Sequence, residues 1–266
     1  MLVNVDEKIE KFYKYCNHFL YEDKKEFLRK YSVYPTFLFY GNPGTGKSSV
    51  AKEIYKKLKD NEDKSIDFEI LNIGKLLSSS FGESSQNLHK YFENLKEEMK
   101  RNNSQCFILL DEVDSFSRSR YLDSGEAITR VMLSFNEIID DLIDSEDIYD
   151  FVIIATTNTK DALDTSVLRR FWYHEGFDIL FDQKQFTKFI KAFSEGHELN
   201  TDIMNDLYDV YQKKKFTPGE MKNILARLHI DNRIFGTCVD SLQNVFNERQ
   251  SFHEITSKHR GKTSER

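Results

Sequence analysis

Only three of the 266 residues are cysteine. Cys16, Cys106 and Cys238 lie far apart, are odd in number and sit mostly in apolar company. That excludes a disulfide framework and points to reduced core thiols. No spacing of Cys and His matches a metal-ligand set. Long hydrophobic runs are lacking too. Nothing approaches membrane-spanning length, and the opening Met1-Leu2-Val3-Asn4-Val5-Asp6-Glu7 lacks the pattern of a signal peptide. Basic residues are outnumbered, 38 Lys and Arg against 44 Asp and Glu, and the net charge of −6 removes any global pull toward nucleic acid. The basic residues near the end (Arg249, Lys258, Arg260, Lys262, Arg266) read as a solvated tail. Internal repeats and low-complexity linkers are absent. These features describe a soluble chain of the cytoplasm, and a hydrophobic content of 39% with 14% aromatics supports one large domain, or a large and a small one.

Within that frame the periodicity alternates. Apolar groups at Val5, Ile9, Phe12, Cys16 and Phe19 have helical spacing within 5–29. Thr36-Phe37-Leu38-Phe39-Tyr40 reads as a buried strand, 47–58 as a helix, 67–71 as a strand and 84–101 as a helix. Cys106-Phe107-Ile108-Leu109-Leu110 and Phe151-Val152-Ile153-Ile154-Ala155 are continuously apolar, as strands buried on both faces are. A long helix over 126–142 separates them, and Phe177-Asp178-Ile179-Leu180 offers a short fifth strand. Strands alternating with helices predict an α/β fold with a parallel sheet. Beyond Asp182 the strand signal stops, and 184–195, 202–213, 219–230 and 239–247 read as helices. The expected divisions are a helical segment over 1–35, an α/β domain over 36–181, a helical subdomain over 182–250 and a flexible basic tail over 251–266.

The chemistry is concentrated in four stretches. Gly41-Asn42-Pro43-Gly44-Thr45-Gly46-Lys47-Ser48 fills every fixed position of G-x-x-x-x-G-K-[S/T]. Its glycines let backbone N–H groups turn around the β- and γ-phosphates, Lys47 adds a positive charge, and Ser48 is placed to ligand Mg²⁺. Ser49 follows at the start of a helix whose N-terminus would face the phosphates. Strand 106–110 runs into Asp111-Glu112. Asp111 would hold the Mg²⁺ shell, and Glu112 would orient and deprotonate the attacking water. The adjacent glutamate tilts the reading from nucleotide binding to turnover. Strand 151–155 leads into Thr156-Thr157-Asn158, where the Asn158 amide would position the same water. Arg169 and Arg170 have no obvious partner in their own nucleotide site, and an arginine beside a transferring phosphoryl group can come from a neighbouring molecule.

Together these stretches resemble the AAA+ ATPases, in particular their classical clade. GNPGTGKS is similar to Walker A, FILLDE to Walker B, ATTN to sensor 1 and LDTSVLRRF to the arginine-finger segment, a likeness covering roughly residues 36–175. Katanin and spastin are similar in the LRRF segment. The resemblance implies a P-loop core, its five-stranded parallel sheet sandwiched by helices, followed by a small all-α lid. It also implies a homo-oligomeric ring, usually a hexamer, with ATP and Mg²⁺ between subunits and Arg169 and Arg170 reaching the neighbour's γ-phosphate.

A narrower resemblance is to the pachytene-checkpoint ATPases, which remodel HORMA-domain proteins. It is carried by the run from Phe68 to Ser84, by LLDEVDSFSRSR and by the helix from Glu126. Short bacterial relatives of that family lack an N-terminal adaptor domain and accompany HORMA proteins in cyclic-nucleotide (CBASS) anti-phage operons. Only forty residues precede the phosphate loop here, too few for a separate substrate-binding domain. Two positions depart from the family. Its pore loop reads aromatic–hydrophobic–Gly-Glu-Ser, whereas Ser80 takes the aromatic position before Phe81 and Gly82. Phe81 either supplies the grip on substrate or packs beneath the loop. Glu220 stands where checkpoint ATPases carry a sensor-2 arginine, with Lys222 the nearest base. Arg118, Arg120 and Tyr121 fall where the family places a second pore loop.

The leading expectation is therefore an ATP-driven protein remodeller. A DNA-associated loader or transposition helper would need a basic stripe or a helix-turn-helix, and neither is evident. A nucleotide-gated scaffold has no need of Glu112, Asn158 and Arg170 together.

Overall fold

A computed structural model describes residues 5–20, 25–60, 65–72, 83–114, 125–178, 180–193, 201–235 and 240–255. The chain divides into two compact units, one of Val5–Gly41 with Lys47–Phe177, the other of Asn42–Gly46 with the chain from Asp178 onward.

The first unit is built on five parallel strands: β1 (Thr36–Tyr40), β2 (Ile66–Asn72), β3 (Gln105–Asp111), β4 (Phe151–Thr157) and β5 (Tyr173–Gly176). Their order in the sheet is β2-β3-β4-β1-β5. Every side chain of β4 is buried, and so is every one of β3 except Asp111, which requires cover on both faces. That cover comes from helices: α1 (Asp6–Leu20) packs on α3 (Lys47–Lys59), and α4 (Glu83–Asn102) packs on α5 (Gly125–Asp144). A short helix, α2 (Lys25–Lys30), follows α1. In α1 the predicted stripe is buried, with Ile9, Phe12, Cys16 and Phe19 at i, i+3, i+7 and i+10. Phe12 sits edge-on to Phe37, Phe39 and Tyr173, with centroids 5.3, 4.7 and 5.7 Å away. Lys8 and Lys11 both pair with Glu175 on β5, Lys11 at 2.8 Å. Both cysteines among the described residues, Cys16 and Cys106, are buried free thiols; Cys238 lies outside them.

The fifth strand is Tyr173–Gly176, where the apolar pattern predicted 177–180. β5 is an edge strand with all four residues half-buried, so no apolar run marks it. The apolar stretch begins as the ladder ends: the Phe177 N–H donates to Tyr40 O at 2.7 Å, and Leu180 is 47% exposed.

The register sets the site. Asn72 pairs with Asp111, Leu110 with Ala155 and Tyr40 with Thr157, so the ends of β3, β4 and β1 emerge side by side. In open parallel sheets that carboxyl edge is where ligands bind.

The second unit is helical: α7 (Gln183–Phe193), α8 (Thr201–Lys214), α9 (Pro218–Phe235) and α10 (Asp240–Glu248), numbered after the one-turn α6 (Thr165–Leu168) of the first unit. Phe186, Leu207, Tyr211, Met221, Ile224 and Phe246 form its core. Thr217-Pro218-Gly219-Glu220 starts α9 as a capping box: the Thr217 N–H donates to Glu220 Oε2 at 2.7 Å, and the Glu220 N–H to Thr217 Oγ1 at 3.3 Å. Pro218 occupies the first helical position, where no N–H is needed. A second capping box joins Ser251 and Glu254, and the Phe252 N–H donates to Glu220 Oε1 at 2.7 Å. Thus residues 251–255, expected as the start of a flexible tail, are held on α9. Residues 256–266 lie outside the described residues.

Candidate active site

β1 delivers the chain to Gly41, and α3 begins at Lys47. The Lys47 side chain, 7% exposed, turns back so that Nζ donates to Gly41 O at 2.6 Å and to Asn158 Oδ1 at 2.9 Å. Burying the N–H groups of a lysine is costly unless acceptors meet them. Here a carbonyl and an amide oxygen meet them. The first and third predicted stretches therefore come together at this ammonium.

The next residue joins the second. Ser48 Oγ donates to Asp111 Oδ1 at 2.8 Å, and Thr156 Oγ1 donates to the same oxygen at 2.5 Å. Thr156 Oγ1 also accepts the Glu112 N–H at 3.3 Å. Glu112 is exposed and holds φ at +61°, a left-handed conformation uncommon for a side-chain-bearing residue. One hydroxyl on β4 thus fixes both the Asp111 carboxylate and the backbone beneath Glu112. Asp114, 1% exposed, accepts from Thr157 Oγ1 and from the Asn158 N–H, each at 3.4 Å, and steadies the exit of β4 that carries the Asn158 amide. Sequence reasoning missed Thr156 and Asp114. The D-E-x-D spacing and the two threonines before Asn158 were the available signals.

The middle of the loop belongs to the helical unit. Gly44 and Gly46 hold φ at +78° and +96°, which L side chains rarely adopt. Thr45 Oγ1 donates to Asn42 O at 2.9 Å, and the Asn42 N–H to Asp178 Oδ1 at 2.7 Å. Gly219 at the start of α9 donates its N–H to Gly44 O at 2.8 Å. The approach is close enough that a Cβ on Gly219 would lie 2.8 Å from Gly44 Cα. Pro43 and Ser49 are exposed.

The arginine turn follows β4. Asp164 caps α6 by accepting the Ser166 N–H at 2.8 Å, and Arg169 and Arg170 leave its end. Arg169 is exposed and Arg170 is buried, so the structure separates the two. His174 on β5 places Nε2 3.2 Å from Leu168 O, and burial holds its imidazole below the usual histidine range. Ser80, Phe81 and Gly82 of the expected pore loop lie outside the described residues, as do Arg118, Arg120 and Tyr121.

The donor set fits a magnesium nucleoside triphosphate. Within the first unit it sets an ammonium for the phosphates, Lys47, beside a hydroxyl and a carboxylate already 2.8 Å apart for a hard cation. Among the described residues no helix is long and apolar enough to cross a membrane.

Comparison with known proteins agrees with this geometry. Residues 37–179, more than half of the chain, match the model of the ATPase family associated with various cellular activities (AAA). The peroxisomal ATPase pex6 of Schizosaccharomyces pombe is 37% identical over 134 residues, which is 50% of this chain and 13% of that protein. A cell division cycle protein 48 homolog of Archaeoglobus fulgidus is 33% identical over 132 residues, 50% of this chain and 16% of that protein. The chain therefore spans a small fraction of the length of these relatives. Among solved structures, a chain of the E. coli MS115-1 HORMA:CdnC:Trip13 complex superposes with a TM-score of 0.77 at 19% identity, covering 94% of this chain and 90% of that one. At that identity the likeness speaks for the fold. With the family model matched across the strands, the phosphate loop and the arginine turn, the chain belongs to the AAA family of ATPases.

Proposed function

We propose that this protein is a ring-forming ATPase of the cytoplasm, a hexamer that remodels a protein partner bearing a HORMA domain. The single observation that carries the catalytic reading is the chain of hydrogen bonds Ser48–Asp111–Thr156–Glu112, which ties the phosphate loop to the base-bearing end of β3. Lys47 binds the β- and γ-phosphates, and Asn158 beside it orients the attacking water. Glu112 takes the proton as the water oxygen bonds to the γ-phosphorus and the bond to the β–γ bridging oxygen breaks, giving ADP and phosphate. Ser48 and Asp111 would hold Mg²⁺, which would supply charge neutralisation at the phosphate oxygens. Arginine from a neighbouring subunit completes the site.

The remodelling part of the reading rests on likeness. A chain from a complex with a HORMA protein and CdnC shares this fold over most of its length. Pex6 and vesicle-fusing ATPases are among the sequence relatives. A role in bacterial anti-phage signalling is the setting this suggests, and the buried free thiols Cys16 and Cys106 accord with a reducing compartment.

The test is the mass, by light scattering, of Glu112→Gln protein with and without ATP and Mg²⁺. A hexamer mass with nucleotide, and retention of a purified HORMA-domain protein by that hexamer, are the expected results. A persistent monomer would overturn the ring; a hexamer indifferent to HORMA proteins would overturn the partner.

A further inference from the structure

Adjacent arginines at the end of α6 have different surroundings. Arg170 is 7% exposed and spends its guanidinium inward. Nε donates to Asp140 Oδ1 at 3.1 Å and Nη2 to Asp140 Oδ2 at 2.5 Å, a bidentate pair, while Nη1 donates to Ser166 O at 2.7 Å. Asp140 lies on α5, and α5 grips the same turn twice more. Asn136 Nδ2 donates to Ser166 Oγ at 3.2 Å, and the rings of Phe135 and Phe171 stack with centroids 6.4 Å apart. Arg169 sits one residue earlier, at the helical C-cap of α6. It is exposed, and its guanidinium makes no hydrogen bond or ion pair among the described residues.

An arginine that serves a neighbour must be presented with its donors unspent. To leave its place Arg170 would break three hydrogen bonds and strand a buried turn. Arg169 needs only a rotamer change. Its backbone is fixed by the residue beside it, because the Arg170–Asp140 pair pins the turn to a twenty-residue helix. Small misplacements of a catalytic group cost as much as about 10²-fold in rate, so such pinning has catalytic weight.

We propose that Arg169 alone is the residue offered to a neighbouring subunit's triphosphate, and that Arg170, locked to Asp140, is a positioning residue that aims it. The proposal rests on the ring reading above and divides between the two arginines what that reading leaves joined.

The experiment measures ATP turnover, ATP KM, melting temperature and nucleotide binding for Asp140→Asn, Arg169→Ala, Arg170→Ala and the exchange Asp140→Arg/Arg170→Asp, each also mixed with Lys47→Ala subunits. Arg169→Ala is expected to lose about 10³-fold or more in turnover and to recover part of it in mixtures, where the partner brings the missing arginine. Asp140→Asn is near-isosteric at a half-exposed position and keeps Arg170 charged. It is expected to lower kcat about 10–100-fold with the ATP KM unchanged, and the exchange to restore most of that loss. Normal turnover in Asp140→Asn beside an inactive Arg170→Ala would overturn the proposal. So would a folded exchange variant as inactive as Arg170→Ala, because the guanidinium at 170 would then be needed for itself. Failure of every arginine variant to recover in mixed assemblies would instead overturn the ring reading, and this proposal with it.

Discussion

Lys47 Nζ lies 2.9 Å from Asn158 Oδ1, so one hydrogen bond joins residues 111 positions apart and closes the phosphate loop onto the end of β4. In the function proposed above, this ammonium is the group that meets phosphate charge. Charge-assisted hydrogen bonds are worth roughly 1.5–3 kcal/mol each, so Lys47→Ala should weaken ATP binding by at least about 100-fold. Titration with a fluorescent nucleotide reads this directly. Undiminished affinity would mean that the loop is not the phosphate site.

Glu112 and Thr156 should separate by degree. Glu112→Gln keeps shape and hydrogen bonding but removes the base, so turnover should fall by about 10²–10⁴ while nucleotide binding persists. Thr156→Val removes a hydroxyl that donates to Asp111 and receives the Glu112 N–H, and with two hydrogen bonds gone a loss of about 10-fold or more in kcat is expected. A normal rate in either variant would remove that residue from the chemistry.

Gly219→Ala tests the contact of α9 with the loop. The added methyl would sit 2.8 Å from Gly44 Cα and 2.9 Å from Gly44 O, both backbone atoms that cannot swing aside. The loop must shift, and the ATP KM should rise about 10-fold, with a melting point lower by a few degrees. An unchanged KM would show that the loop does not need Gly219 at this distance.

The ion-pair cluster of α1 and β5 predicts a pH dependence. Burial alone would raise the Glu175 carboxyl, but hydrogen bonds from Lys11 and Lys8 outweigh it and hold it below the usual carboxylate range. A group depressed in the folded state stabilises fully above its unfolded value, about 4.3, and that stability is lost as pH falls through the lower folded value. Glu175→Gln should therefore lower the melting temperature at neutral pH and flatten its decline below about pH 4.3. Parallel acid limbs for the two proteins would remove Glu175 from the account.

How much was legible depended on whether a feature was local. The phosphate loop, the acidic pair and the buried strands β1, β3 and β4 announce themselves because each is a contiguous run with its own chemistry. β5 did not. Its residues Tyr173 to Gly176 are half-exposed at an edge, and the apolar pattern placed the strand four residues late. The Asp140 partner of Arg170 was beyond reach for another reason. It sits thirty residues away on the polar side of an amphipathic helix, where a carboxylate is the ordinary choice. Thr156 and Asp114 look like a strand residue and a loop acid until the register of β3 with β4 sets Thr156 against Asp111, and Asp114 against Thr157 and Asn158.

Glu220 couples two segments of the helical unit, so its replacement carries a double cost. Its two carboxylate oxygens receive the N–H groups of Thr217 and Phe252, and it is 5% exposed. An arginine arriving there, as in checkpoint ATPases, would set a donor against two donors, and would uncap α9 and release the segment from Ser251 in one step. Position 220 is thus tied to two places at once, and an arginine there would be accommodated only with coordinated change near residues 217 and 252.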